Sequence, residues 1–167
     1  MIFRLTQKLC RKIKTGALAT VPLHENPYAD WSARLFTADR TQYILLCNTP
    51  SLYSIIIYGR GITDSSIFLD HAMASIRESM IDDGLELIYM NFIAPATGSA
   101  TFHKSLDRSV IGSMNEFQWH AKDALVSNDV SPFEVGRVLN NIPCKPLSTP
   151  EYSSFANPRE AIKYLNA

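Results

Sequence analysis

The chain has 167 residues, 46% of them hydrophobic and 19% charged, the composition of a folded globular protein rather than a disordered one. Sixteen Lys and Arg balance sixteen Asp and Glu, so net charge leaves no footprint for nucleic acid, although a local basic patch stays open. Three cysteines (Cys10, Cys47, Cys144) are odd in number, far apart and without a C-x-x-C, which argues against a disulfide framework or a zinc site and for a reducing cytosol.

A length of this order corresponds to one domain with a substantial core, and no apolar run approaches a membrane span. Arg4, Lys8, Arg11 and Lys12 interrupt the apolar residues at the start, which excludes the core of a signal peptide there. The expectation is a cytoplasmic protein with no membrane partner.

In chain order, residues 2–5 form a short strand and Thr6 can cap a helix over residues 7–13. Lys8, Arg11, Lys12 and Lys14 make this helix the one dense basic cluster, for which a solvated face is an adequate account and phosphate binding the less favoured one. Residues 21–30, with Pro22, Asn26 and Pro27, form a loop. Residues 41–47 are the central strand, apolar on both faces in their second half and therefore covered on both sides. Residues 33–37 join it as a hairpin through an Asp39–Arg40 turn. Residues 53–58 are a second strong strand, paired antiparallel because the connection is short.

Thr63 or Asp64 then caps a helix to about residue 82, with Phe68, Ala72, Ile76 and Met80 on its core stripe and Gly84 ending it. Residues 85–93 read as a third strand, and residues 100–105 as a further one carrying His103 and Lys104. Residues 107–125 form a helix with Val110, Met114, Phe117, Ala121 and Leu125 on one face. A helix over residues 132–140 follows, then an extended Pro- and Ser-rich crossing, and a terminal helix opened by Asn157-Pro158-Arg159-Glu160. The whole is a single α+β domain with a mainly antiparallel sheet and helices packed against it.

Two polar clusters attract a functional reading. Asp39, Arg40 and Gln42 crowd one end of the central strand, where Arg40 offers a planar fork to a carboxylate or phosphate; the plainer reading is a hairpin turn. Arg60 lies between Gly59 and Gly61, which suits backbone approach to an anion but suits a strand exit better. Arg108, Gly112, Asn115 and Trp119 share the second face of their helix, where Lys and Glu are the usual residues. Gly112 costs such a helix roughly 1 kcal/mol, so a close neighbour is expected there. Either the helix is buried on two sides, or Arg108 and Asn115 line a groove walled by Trp119.

The blocks F-T-A-D-R-T-Q-Y-I-L, S-L-Y-S-I-I-I-Y-G-R-G-I-T and D-R-S-V-I-G-S-M-N-E resemble the signature segments of an uncharacterised bacterial family of small single-domain proteins, a domain of unknown function. The resemblance covers nearly the whole chain and implies a bacterial cytoplasmic protein. It carries over no activity and no catalytic residue.

No nucleophile elbow, Walker loop, dinucleotide fingerprint or H-E-x-x-H is present, and the four histidines lack metal-ligand spacing, so neither metal nor cofactor is expected. Two functional classes remain. The favoured one is a binding or interaction module in which Arg40, Gln42, Arg60, Arg108, Asn115 and Trp119 serve an anionic ligand, nucleic acid or partner protein. The other is an enzyme, hydrolase or nuclease-like, acting on a phosphate-bearing substrate, with Asp39 or His103 as acid or base and Lys104, Arg40 and Arg108 stabilising developing negative charge.

Overall fold

The computed structural model describes residues 1–105, 108–127, 130–144 and 156–165. Among them, strands β1 (Ile2–Leu5), β2 (Asp30–Ala38), β3 (Thr41–Asn48), β4 (Ser54–Tyr58) and β5 (Thr101–Lys104) form one sheet in the order β4-β3-β2-β1-β5. The β2–β3 and β3–β4 pairs are antiparallel, and β1 runs parallel to both β2 and β5. The sheet is thus antiparallel over its longer strands and parallel over its short ones. Its middle strand is β2; β3, expected at the centre, lies one place toward the β4 edge.

Alternation along the strands builds two cores. Trp31, Ala33 and Leu35 with Ile44 and Leu46 face one side, where they meet Leu9 of α1 (Gln7–Lys12), Ile13 at its C-cap and the Phe68, Ala72, Ile76 and Met80 stripe of α2 (Ser65–Asp82). Phe36 and Ala38 with Tyr43, Leu45 and Cys47 face the other. There they meet Val110, Met114, Phe117 and Ala121 of α4 (Arg108–Ser127) and Val135 and Leu139 of α5 (Pro132–Asn140). The expectation that residues 41–47 are covered on both faces holds from Tyr43 onward, each of which is buried.

The capping residues act as the chemistry demands, with one exception. Asp64 Oδ1 accepts the Ile67 N–H at 3.0 Å, Ser131 forms a reciprocal capping box with Glu134, and Asn157 opens α6 (Pro158–Ala161) by accepting from Glu160 N–H at 2.9 Å. Thr6 stands at the start of α1, but its hydroxyl caps nothing and is buried without a partner.

Residues 85–93 are not a strand. They form a helical turn, α3 (Glu86–Ile88), continued by a π-helical turn over Tyr89–Ile93. Leu85, Tyr89 and Ile93 recur every fourth residue and are buried, while Leu87 and Met90 are exposed. Spacing by four, rather than the apolar content of the run, decides the conformation. The proposed Pro- and Ser-rich crossing falls largely on residues 145–155, outside the described residues.

A buried ion pair locks the β1–β2 junction, and nothing in the residue pattern announced it. Arg4 Nε and Nη2 each donate to the Asp30 carboxylate at 2.8 Å, with Arg4 only 3% exposed and Asp30 fully buried. Two further guanidinium N–H groups donate to the carbonyls of Val21 and Pro22, and Asp30 also accepts the His24 N–H. The pair therefore straps the incoming loop to the sheet. Removing either partner would strand the other, at a cost of about 3–5 kcal/mol.

Candidate functional site

The turn joining β2 to β3 consists of Asp39 and Arg40, with φ of +39° and +62°. Two consecutive left-handed residues are the geometry of a tight hairpin whose twist matches the flanking strands. Asp tolerates this conformation and Arg does so at a cost, because its Cβ crowds the following carbonyl. The plain hairpin-turn reading is therefore right about the backbone. It does not account for an arginine where glycine fits better.

The same backbone delivers Arg40 to a basin of about 800 Å³ lined by Lys12, Arg40, Gln42, Tyr58 and Arg60. Lys12 arrives from the last turn of α1, and its ammonium donates to Gln42 Oε1 at 2.7 Å. The acceptor is a neutral amide, so the lysine charge stays uncompensated. Arg40 and Arg60 are exposed, and none of the three cations is in an ion pair among the described residues.

Arg60 is held rather than loosely tethered. Gly59 N–H donates to the Gln42 carbonyl at 2.7 Å, extending the ladder past β4. A Cβ on Gly59 would lie 3.1 Å from that carbonyl oxygen, and Gly61 has φ of +84°, so both glycines meet a backbone requirement. The segment Gly59-Arg60-Gly61 is a fixed bend that sets Arg60 beside the start of β3, not a loose strand exit. Tyr58 completes the wall: it is 55% exposed, and its ring lies 5.4 Å from that of Tyr43, which in turn stacks on Phe36 at 5.6 Å. Burial, and after it the neighbouring Tyr58, pushes the Tyr43 phenol above its ordinary range.

The other sequence-derived candidates lie elsewhere. Asp39 is exposed beside Arg40 but does not line the basin. Arg108 is exposed in the first turn of α4, away from the basin lining. Asn115 Oδ1 accepts from Nη1 of Arg34, which reaches up from β2. Trp119 is 67% exposed, with its ring edge-on to His120 at 5.0 Å. Gly112 has no close neighbour, since a Cβ built there would meet nothing within 4 Å. The second face of α4 is thus neither buried nor a walled groove among the described residues.

His103 lies on β5 opposite Arg4, with Nε2 bonded to Thr101 Oγ1 at 3.0 Å and Nδ1 buried without a partner. Arg4 in turn pairs with Ser32, and Ser32 is about 23 Å back along β2 from Asp39 at the usual strand rise. Lys104 is the residue after His103 and lines a different crevice. Asp39 therefore shares no site with His103 or Lys104.

Two residues were not placed in the site by the sequence reading. Lys12 was grouped with a basic helix for which a solvated face was preferred to phosphate binding. Arg34 is half-buried beneath α4, where burial lowers its proton affinity and its Nε has no partner. Its signal was available: a charged residue in register with Ser32 and Phe36 on a strand covered on both sides. No group of His, Cys, Asp or Glu among the described residues could hold a metal ion, and no described helix is long and apolar enough to cross a membrane.

No curated protein and no solved structure matches the chain. A family does, in agreement with the resemblance carried by the three sequence blocks. Over residues 2–161 the chain belongs to the family described as Domain of unknown function (DUF6933).

Proposed function

We propose that this protein is a binding module whose Lys12–Arg40–Arg60 basin holds a phosphate-bearing ligand. The observation that carries the reading is the convergence on one cavity of three cations, from three separate chain segments, that have no ion-pair partner and no carboxylate in the lining among the described residues. Guanidinium forks suit phosphate oxygens in bidentate contact, and the Lys12 ammonium adds a point charge fixed by Gln42. A strained non-glycine turn fits a site better than a plain hairpin, because such strain gathers where a side chain is needed. Tyr58 adds an exposed ring face on which a base can stack, which favours a nucleotide over a bare phosphate.

Balanced overall charge supports a local site over non-specific nucleic-acid binding. The three thiols are all free, which fits the bacterial cytoplasm implied by the family resemblance. Catalysis on a phosphate ester is the weaker reading, because neither acid–base candidate, Asp39 or His103, lines the basin.

Titration calorimetry with pyrophosphate and with a nucleoside diphosphate tests the proposal. Saturable binding that Arg40→Ala and Arg60→Ala each weaken, with Arg108→Ala and His103→Ala unchanged, is the expected pattern. A gain of roughly 1–3 kcal/mol for the nucleoside diphosphate, lost in Tyr58→Ala, would place the base on the ring. Equal binding by the wild type and both basin variants would end the reading.

A further inference from the structure

A second cavity, of about 500 Å³, opens where β1 and β5 end. Its position follows from topology. These two strands are parallel neighbours, yet the chain leaves them toward opposite faces. After β1 it enters α1, whose Leu9 packs into one core, and α4, the helix that follows β5, packs into the other. Adjacent parallel strands whose exits diverge leave a crevice at their carboxyl ends, the place where open α/β sheets bind ligands.

The lining gives the crevice a chemical character unlike that of the basin. Leu5, Leu18 and Ile111 supply apolar walls from β1, from the segment after α1 and from α4. The polar side chains are Thr6, Gln7, Cys10, Ser105 and Lys104, of which Lys104 alone carries a charge. Lys104 is exposed and in no ion pair among the described residues. The cavity lies within the size range of small-molecule pockets, roughly 300–1,000 Å³, and shares their pattern of apolar walls with a few placed polar groups.

We infer that this crevice binds a small apolar carboxylic acid, its hydrocarbon body against Leu18 and Ile111 and its carboxylate on Lys104. One cation among apolar walls matches one negative charge on an apolar body; a multiply charged phosphate would leave most of its charge unanswered there. The site is independent of the Lys12–Arg40–Arg60 basin and does not rest on it.

Octanoate and its neutral counterpart 1-octanol, titrated into labelled protein while backbone amide resonances are followed, test the inference. Octanoate should give saturable shifts at Leu18, Ser105 and Ile111, and Lys104→Met, an exposed substitution that leaves the core intact, should weaken it about tenfold. Binding of 1-octanol should be the same in wild type and Lys104→Met, and Arg40→Ala should leave octanoate binding unchanged. Ile111→Trp, which fills the crevice, should abolish both. Shifts that do not saturate, shifts that map to the basin, or octanoate affinity indifferent to Lys104→Met would overturn the assignment.

Discussion

Arg40 and Leu52 have nearly the same backbone, φ of +62° and +60°, and opposite surroundings. Arg40 is exposed, whereas Leu52 is 2% exposed and packs in the core beneath α4 and α5. Left-handed backbone costs a non-glycine residue about 1–2 kcal/mol, and glycine removes that cost. At residue 40 nothing buried is lost in exchange. Arg40→Gly should therefore raise stability by about 1 kcal/mol while reducing pyrophosphate affinity, as read by urea denaturation and calorimetry on one preparation. At residue 52 the same change deletes a buried leucine, worth about 2–5 kcal/mol, and should lower stability on balance. If Arg40→Gly destabilises the protein, the arginine is a structural part of the turn and strain is the wrong account of it.

Among the elements, two helical glycines separate by what stands opposite them. Gly112 of α4 faces open space, so Gly112→Ala should stabilise by roughly 1 kcal/mol through helix propensity alone. Gly136 of α5 lies against β4, where a Cβ would come within 3.3 Å of the Ser54 carbonyl oxygen. That carbonyl cannot yield easily, because Asn140 Nδ2 donates to it at 3.0 Å while Asn140 Oδ1 accepts the Ser54 N–H at 2.6 Å. Gly136→Ala should lose about 1–3 kcal/mol despite its better propensity. Thermal melts of the two variants, moving in opposite directions, check both. The cap of α5 also gives the helix an acid-sensitive start. The Ser131 backbone N–H, and then its hydroxyl, hold the Glu134 carboxyl below its ordinary 4.5. A lowered folded-state value means the contribution is complete above the unfolded value and is lost as pH falls through the folded one. Urea midpoints of wild type and Glu134→Gln should accordingly converge as the solution is acidified; a gap that persists in acid would exclude the charged cap.

The sequence patterns that proved legible were periodic ones. Phe68, Ala72, Ile76 and Met80, the alternation through residues 41–47, and the stripe of α4 each repeat at a spacing that only one conformation satisfies. Residues 85–93 misled because a short apolar run fits strand and buried helix alike. Polar partnerships were illegible for a different reason: Arg4 with Asp30, and Lys12 with Gln42, meet across the sheet, and no spacing along the chain encodes such a meeting. The basin was half visible: Arg40, Gln42 and Arg60 were grouped in one site, but together with Arg108, Asn115 and Trp119, which do not line it. Their convergence depended on the β3–β4 register and on the path of α1.

At the scale of the molecule, strand order is also an order in time. β2 pairs with β3 and β3 with β4, each its immediate successor, so this part of the sheet can close as soon as residue 58 is available. β1 comes first in the chain and acquires its second neighbour only when β5 has been made. Local pairings form fast and distant ones late, because loop closure must precede any reward from contact. In stopped-flow kinetics, Leu45→Ala should chiefly slow folding, and Phe102→Ala should chiefly speed unfolding; the reverse would place β5 in the nucleus. During synthesis this leaves the backbone groups of β1 that later meet β5 unpaired while most of the protein is still being translated. An open strand edge invites pairing with a neighbouring chain. For this fold the interval on the ribosome before residues 101–104 emerge is the period of greatest exposure to misassembly, and the late arrival of β5 ends it.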